Sequence, residues 1–452
     1  MFEHHRKLIA KLNPIRIEGK LSSMSGINML VKDLPAALSS MCAVRTRSGE
    51  TIEAQVVGFR DGATILMPLQ DAAGVAEGDL VWSEPTMHHV PVGESLLGRV
   101  VDGLGRPIDQ GPRIHAEQYY PVYNDAPAPF SRQRIDEPLS TGVRVIDGLL
   151  TVGIGQRLGI FSSTGVGKSV LLGMISRYTS ADVTVVALVG ERGREVKDFI
   201  EKDLGPEGMA RTVMVVSTSD ESPIMRVRAS FVATAIAEYF RDQGRHVLLL
   251  VDSLTRLAMA QRQIGLAAGE PPASKGYTPS VFSLLPQLLE RAGRSERGSI
   301  TGFYSVLVEG DDINEPISDA VRGILDGHVW LSRSLAGKGH YPAVDTLNSI
   351  SRLMVDVVDD AHREAAQRVR RVLGTWFEIE DLVNIGAYAA GSNPQFDLAI
   401  QSKPQIDQFM QQAMDEQFSF EQTRQALQQL SRSIAETEHK LKASSARGAA
   451  VG

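Results

Sequence analysis

Residues 159–173 read GIFSSTGVGKSVLLG. The run follows the phosphate-loop pattern G-x-x-x-x-G-K-[ST] at every fixed position except the first, where Ser162 stands in place of glycine. In such a loop, successive backbone N–H groups and the start of the next helix surround an anion, so glycine is needed where φ is positive or the backbone comes close to the ligand. Gly165 and Gly167 meet that need, Lys168 can reach the β and γ phosphates, and Ser169 can ligate magnesium. The first position lies where the strand turns, and a small residue such as Ser162 is expected to fit there. RLGIF precedes the loop as a strand and SVLLGMISRY follows it as an amphipathic helix. A plain glycine turn with an exposed lysine would need neither. The expected nucleotide contacts are Thr164, Gly165, Val166, Gly167, Lys168, Ser169 and Val170.

Outward from this loop, apolar runs alternate with helical stretches. QRLGIFS, DVTVVALVG, RTVMVVST, HVLLLVD, SITGFYSVLVE and HVWLS read as buried strands. Between them, GKSVLLGMISRYTS, REVKDFIEKDLG and SPIMRVRASFVATAIAEYFRDQG repeat apolar residues every three to four positions. This predicts an α/β fold with a largely parallel, doubly covered sheet, whose ligands bind at the carboxyl ends of the strands. HVLLLVD ends in Asp252, an acid placed to serve magnesium beside the loop. Glu191 leaves another strand end in VVALVGERGREVKD, where a carboxylate can orient a water in line with a γ-phosphate.

The chain has 452 residues, enough for two or three domains. Residues 21–92 read as short strands broken by Gly and Asp, which predicts a small β-barrel. Residues 93–376 are assigned to the nucleotide-binding domain, with the Pro- and Gly-rich segment LGRPIDQGPRIHAEQYYPVYNDAPAPFSRQRIDEP as an irregular connector. Residues 377–452 are expected to form a helical domain that ends in a disordered tail, ASSARGAAVG. At the other end, Leu8, Ile9, Leu12 and Ile15 lie at helical spacing among Arg6, Lys7 and Lys11, so residues 1–20 are expected to form a basic amphipathic helix.

Composition narrows the function. Cys42 is the single cysteine, which excludes an internal disulfide and a Cys-rich metal site and fits a reducing compartment. No apolar run reaches the length of a membrane span. A net charge of −7 offers no global attraction to nucleic acid.

In combination, TGVGKS, GERGRE, LLLVDSLTR, GEPPASKGYTPSVFSLLPQLLERAG and YPAVDTLNSISR resemble the catalytic subunits of the rotary ATPase superfamily, a RecA-like family of hexameric rings. The most specific element is the signature carried by Pro342, Ala343, Val344, Asp345, Ser349 and Ser351. The resemblance implies a RecA-like P-loop core between an N-terminal β-barrel and a C-terminal helical domain, with ATP and Mg2+ as substrate and cofactor. It also implies roles. Lys168 and Ser169 match the phosphate lysine and the magnesium hydroxyl, Glu191 the catalytic glutamate, and Arg192 its neighbour in the site. Asp252 and Glu195 match acids at the metal, and Arg256 an arginine facing the γ-phosphate. Tyr341 falls where adenine is stacked. Arg352 matches the arginine finger that enters the neighbouring subunit's site.

Within the superfamily, GERGREVKDFI, SVLVEGDDINEPISDAVRGILDGHVWLSR and EDLVNIGAYAAGSNPQFDLAI resemble the flagellar type III export ATPases more than a synthase subunit, which would carry GERTREG and DELSEED. Virulence-type secretion ATPases share the core and are the alternative. A non-catalytic ring subunit would usually lack Glu191. A nucleic-acid translocase would need aromatics and basic residues on the barrel, and residues 21–92 hold only Phe59 and Trp82 as aromatics. The resemblance therefore implies a cytoplasmic homohexamer, associated peripherally with the inner membrane at the flagellar base. Its implied partners are a stator-like regulator at the N-terminal helix, a central-stalk protein, export chaperones and substrates, and the export gate, with no nucleic acid.

Overall fold

The computed structural model describes residues 17–84, 88–308, 310, 312 and 314–449. The helix expected at 1–20 lies outside the described residues as far as residue 16. Its last residues belong to a strand. Glu18, Gly19 and Lys20 open β1 (Glu18–Ser25) and pair with Trp82, Val81 and Leu80. A side chain at Gly19 would come within 2.5 Å of the Lys32 carbonyl oxygen, so glycine lets the two strands approach.

β1 closes a six-stranded barrel with β2 (Asn28–Lys32), β3 (Met41–Arg45), β4 (Thr51–Arg60), β5 (Ala63–Pro68) and β6 (Leu80–Glu84), in the order β1-β2-β5-β4-β3-β6. Closure removes every free sheet edge. The barrel thus occupies residues 18–84 rather than 21–92. β7 (His89–Val92) leaves it because Val90 and Val92 are buried in the apolar core of the next domain.

The connector is more ordered than its composition suggests. β8 (Val100–Val101) joins the edge of the core sheet, and β9 (Gln118–Pro121) pairs with β7. Side chains then pin it to the long helix Pro223–Asp242. Tyr239 donates to Glu117 at 2.7 Å, and Tyr120 donates to Asp242 at 3.1 Å. The fully buried Arg291–Glu238 pair, at 2.7 Å, also holds the Val122 carbonyl. Short strands β10 (Pro138–Leu139) and β11 (Val152–Gly153) lead into the core.

The core sheet is built from β12 (Arg157–Ser162), β13 (Val183–Glu191), β14 (Thr212–Thr218), β15 (His246–Asp252), β16 (Gly293–Arg294), β17 (Ser299–Leu307), β18 (Gly327–Leu331) and β19 (Val344–Ser351). Its order is β19-β18-β12-β17-β15-β13-β14-β8, with β16 pairing on β17. All six strands read from the sequence are present and mutually parallel. β19, which carries the superfamily signature, adds an antiparallel edge. Burial of both sheet faces explains the continuous apolar runs.

The helical domain begins before residue 377. The helix Asp360–Asn384 crosses that boundary because Val369, Val372, Leu373 and Ile379 form one buried stripe. The helices Pro394–Met410 and Phe420–Ala449 pack against it, and their apolar side chains join the core on one face of the sheet. The last helix continues to Ala449, where the sequence reading expected a disordered tail.

Candidate active site

The loop after β12 has the conformation its glycines require. Gly165 and Gly167 have φ of 82° and 88°, in the left-handed region, and Gly167 caps the helix Lys168–Tyr178. Ser162 is the last residue of β12, fully buried and without a positive φ. Its position is ordinary strand, so glycine is not needed there. Val166 turns into the core and anchors the loop, while Thr164, Gly165, Ser169 and Val170 are exposed. Backbone N–H groups at a helix start, with little side-chain cover, suit an anion.

Four strands deliver the polar side chains to this end of the sheet. The Lys168 ammonium is paired with Oδ1 of Asp252, at the end of β15. Ser305 on β17 donates to the same oxygen at 2.5 Å. The sequence reading did not single out Ser305, because a serine inside an apolar strand carries no distinguishing pattern.

Glu191 leaves β13 at a register shift after Val189. Gly190 there has φ of 72°, and a side chain on it would come within 2.8 Å of Arg256. That close approach brings Arg256 Nε to 3.4 Å from Glu191 Oε1. Burial pushes the Glu191 carboxyl up to about 7, and the charge of Asp252 and a hydrogen bond with Glu195 push the same way, while Lys168 and Arg256 oppose them. Glu195 is held below its ordinary value chiefly by the same hydrogen bond with Glu191. The two carboxyls titrate as a pair, with Glu191 pushed up and Glu195 pushed down.

Tyr341 lies against the other side of the loop. Its ring is 3.4 Å from where a Gly167 side chain would begin. The Tyr341 carbonyl accepts from the Gln412 N–H at 3.0 Å. Gln412 Oε1 accepts from the Arg144 N–H at 2.9 Å, and Arg144 lies 4.1 Å over the Phe418 ring. This tie to the helical domain was missed, since Gln412 and Phe418 lie some 70 positions beyond Tyr341 and Arg144 nearly 200 before it.

Two expected residues stand apart from the cluster. The Arg192 side chain is 75% exposed and, among the described residues, reaches only Glu195, at 3.8 Å. Arg352 follows β19, and its N–H donates to the Asp326 carbonyl at 3.0 Å, at the amino end of the parallel strands. β12 has six residues, so Arg352 and the phosphate loop are separated by about 20 Å of strand. Its exposed guanidinium forms no ion pair among the described residues.

The signature residues around Arg352 have structural work. Ser349 donates to the Asp345 carbonyl at 2.5 Å and accepts from the Trp330 N–H at 2.9 Å. Ser351 donates to the Thr151 carbonyl at 2.7 Å. The Asp345 carboxylate caps the N–H groups of Leu347 and Asn348.

A cavity of about 360 Å³ adjoins the loop and is lined by Thr164, Arg256, Met259 and Arg333 among others. Arg333 was also missed. β18 pairs Leu331 with Ser162, which sets Arg333 beside Thr164. A wider cleft of about 1140 Å³, between barrel and core, holds none of the expected site residues.

The site thus joins a phosphate loop, a strand-end acid and a buried glutamate with a raised pKa. The model of the ATP synthase alpha/beta family nucleotide-binding domain matches residues 142–351, and that of the T3SS EscN ATPase C-terminal domain matches residues 358–429. The chain is 51% identical to the flagellum-specific ATP synthase of Bacillus subtilis, over 91% of this chain and 94% of that one. It is 48% identical to the type 3 secretion system ATPase of Xanthomonas euvesicatoria, over 93% and 95%. Its fold matches the assembled ATPase EscN of enteropathogenic E. coli, in complex with the central stalk EscO, with a TM-score of 0.84 and 42% identity over 91% and 100% of the two chains. The chain belongs to the ATP synthase alpha/beta family, in its branch of flagellar and type III secretion ATPases.

Proposed function

We propose that this ATPase works as a homohexamer whose MgATP hydrolysis is coupled to export of flagellar proteins. The observation that carries the ring is Arg352. It lies at the opposite end of the sheet from its own phosphate loop, exposed and without an ion pair among the described residues, a position suited to the site of another copy rather than to its own. The assembled state of EscN, at 42% identity, supports the same reading.

In each site the backbone from Thr164 to Val170 and the Lys168 ammonium bind the phosphates, and Tyr341 stacks on adenine. Glu191 acts in its ionised form: once it has released to solvent the proton of its pair with Glu195, its carboxylate takes the proton of the attacking water, with Arg256 beside it. Arg192, at the rim, meets the nucleotide only with a change of rotamer. Arg352 of a neighbouring copy stabilises charge on the transferred group.

Among the described residues no three His, Cys, Asp or Glu side chains cluster as a metal site. Magnesium takes one or two carboxylates together with substrate oxygens and water, and Asp252 at the end of β15 and the exposed Ser169 beside the loop are oxygen donors of that kind. The hard oxygens of Ser169, Asp252 and Glu195 would hold it. A magnesium ion held there would supply positive charge to the phosphate group being transferred.

Flagellar export is preferred over a virulence apparatus on the stretch EDLVNIGAYAAGSNPQFDLAI, since the identities to flagellar relatives, from 43% to 52%, bracket the 48% to the type 3 secretion relative. The helical domain would meet a central stalk, chaperones and export substrates, and the basic N-terminal segment a stator-like regulator. The ring would act in the cytoplasm at the inner membrane beneath the export gate. Among the described residues no helix is long and apolar enough to cross a membrane. Gene deletion followed by electron microscopy and a swimming assay tests this reading. Loss of filaments is expected, and normal flagella would assign the protein to a virulence-type apparatus.

A further inference from the structure

The cleft of about 1140 Å³ between barrel and core lies over an apolar seam. Met67 and Leu69 of the barrel pack there with Ile224 and Met225 of the helix Pro223–Asp242. Around the seam, Met24 and Ile27, at the turn from β1 to β2, are each 42% exposed. Leu266, near the end of the helix Leu254–Ala268, is 45% exposed. Three large apolar side chains left open around one cleft form the kind of patch that a partner segment covers.

The charge of the cleft says which segment. Five acids and two arginines line it. Arg106 is paired with Glu53 at 2.5 Å, and Arg226 bonds Gln263 at 2.9 Å. Asp71, Asp102, Asp220 and Glu221 form no ion pair among the described residues. Burial pushes the Glu221 carboxyl up against a hydrogen bond from Ser217, and the charges of Asp102 and Asp220 push it further. Apolar walls with unrelieved negative charge fit a basic amphipathic occupant.

The chain carries one. Residues 1–16 hold Arg6, Lys7, Lys11 and Arg16 with Glu3 as the one acid, and Leu8, Ile9, Leu12 and Ile15 lie among them at helical spacing. The cleft is within their reach. Glu18 pairs with Trp82, Trp82 with Ala43 and Ala43 with Glu53, so three interstrand steps, about 14 Å, separate the start of β1 from the cleft wall. Sixteen residues span about 24 Å even as a continuous helix. Tethering also supplies an effective concentration on the order of millimolar, so modest contacts suffice.

We propose that residues 1–16 dock in the cleft of their own chain, with their apolar side chains on Met24, Ile27 and Leu266 and their basic residues toward the acidic rim, and that hydrolysis reads this docking through Glu191. The cleft wall adjoins that carboxylate. The Ser219 N–H donates to the Glu191 carbonyl at 3.1 Å, and Glu191 pairs with Thr218. The helix Leu254–Ala268 carries Leu266 near one end and Arg256, beside Glu191, near the other. A segment that packs on residues 219–221 and on Leu266 therefore bears on both the Glu191 backbone and its arginine. The coupling rests on Glu191 acting in hydrolysis; the docking does not.

Cross-linking in the full-length protein tests the docking. Cys42, the native cysteine, is buried and does not compete. Ala10→Cys combined with Gln70→Cys, on the barrel wall of the cleft, should be joined within one chain by a short bismaleimide. Ala10→Cys combined with Glu436→Cys, exposed on the helical domain, should not. Asp71→Lys with Asp220→Lys should cut the Gln70 yield about fivefold or more, and so should Leu8→Asp with Ile9→Asp. Equal yields at Gln70 and Glu436, no cross-link to Gln70, or a yield indifferent to either pair of changes would overturn the docking. A cross-link formed only between two chains would overturn it too, by giving the cleft to a second copy's segment. For the coupling, Asp71→Lys with Asp220→Lys should change the steady-state rate at least about twofold, by the same factor as removal of residues 1–16, and should do nothing further in the truncated chain. An unchanged rate, or effects that add, would overturn the coupling. Full hydrolysis by Glu191→Gln with the cross-link intact would remove the route through Glu191 and leave the docking standing.

Discussion

Lys168 and Asp252 are ion-paired across the phosphate loop, and Ser305 donates to the same carboxylate oxygen at 2.5 Å. On the proposed reading, nucleotide binding exchanges one anionic partner of Lys168 for another and frees Asp252 for the metal. Asp252→Asn keeps the shape but removes the charge. It should still bind ATP, lose hydrolysis by at least about a hundredfold, and need more magnesium for its residual rate. Measuring the rate against magnesium concentration checks this. A wild-type magnesium dependence would mean that Asp252 serves only to hold Lys168.

Glu191→Gln should bind ATP as wild type does and hydrolyse it about 10² to 10⁴ times more slowly, since the amide retains the shape and cannot accept the water's proton. Equilibrium binding and steady-state rates at saturating ATP separate the two effects. A rate within tenfold of wild type would make Glu191 a structural residue.

The raised pKa of Glu191, about 7 against an ordinary 4.5, has opposite consequences for rate and stability. As a base, Glu191 must be ionised, so hydrolysis should rise with pH through about 7 and level off above it. For folding, a raised pKa favours the protonated native state. Its contribution is whole below pH 4.5 and is lost as pH rises through about 7. Glu191→Gln should therefore melt higher than wild type at pH 8, with the gap closing toward pH 4.5. Thermal melts at the two pH values decide it, and a gap that widens on acidification would contradict the assignment.

Much of this was legible in the sequence, for physical reasons. The core strands are buried on both faces, so they appear as unbroken apolar runs, and the candidate acids Glu191 and Asp252 stand at their carboxyl ends. The signature placed Arg352 but said nothing of distance. That its guanidinium stands at the far end of the sheet emerges only from the antiparallel pairing of β19 with β18. Ser305, Arg333 and Gln412 were not legible, because each acts through contacts between strands or domains that leave no local pattern. The junction expected at residue 377 leaves no local mark, because amphipathic periodicity continues through it from Val369 to Ile379.

Ser162 at the first motif position should be dispensable. It is fully buried with a hydroxyl that lacks a hydrogen-bond partner, and its backbone is ordinary strand. Ser162→Ala should leave ATP affinity and hydrolysis within about twofold of wild type and should not lower the melting temperature. Ser162→Gly should bind ATP equally well and melt lower, because glycine in a strand costs about 0.5–1 kcal/mol. A large loss of affinity in Ser162→Ala would give the hydroxyl a part in phosphate binding.

Arg352 offers the strictest test of the ring. A guanidinium supplied by a neighbour makes hydrolysis depend on assembly, so Arg352→Ala should bind ATP normally and hydrolyse it slower by on the order of a thousandfold. Stability should be unaffected, since the side chain is exposed and forms no ion pair among the described residues. Mixing then separates action within a chain from action between chains. An Arg352→Ala subunit keeps its phosphate loop and a Lys168→Ala subunit keeps its finger, so an interface that sets the first subunit's loop against the second's finger is complete. Single-turnover hydrolysis should rise when the two inactive proteins are combined in one ring, even where turnover around the ring is blocked. Mixed rings verified by mass that stay inactive would show that Arg352 does not complete the neighbouring site, and its distance from its own loop would then leave it without a catalytic part.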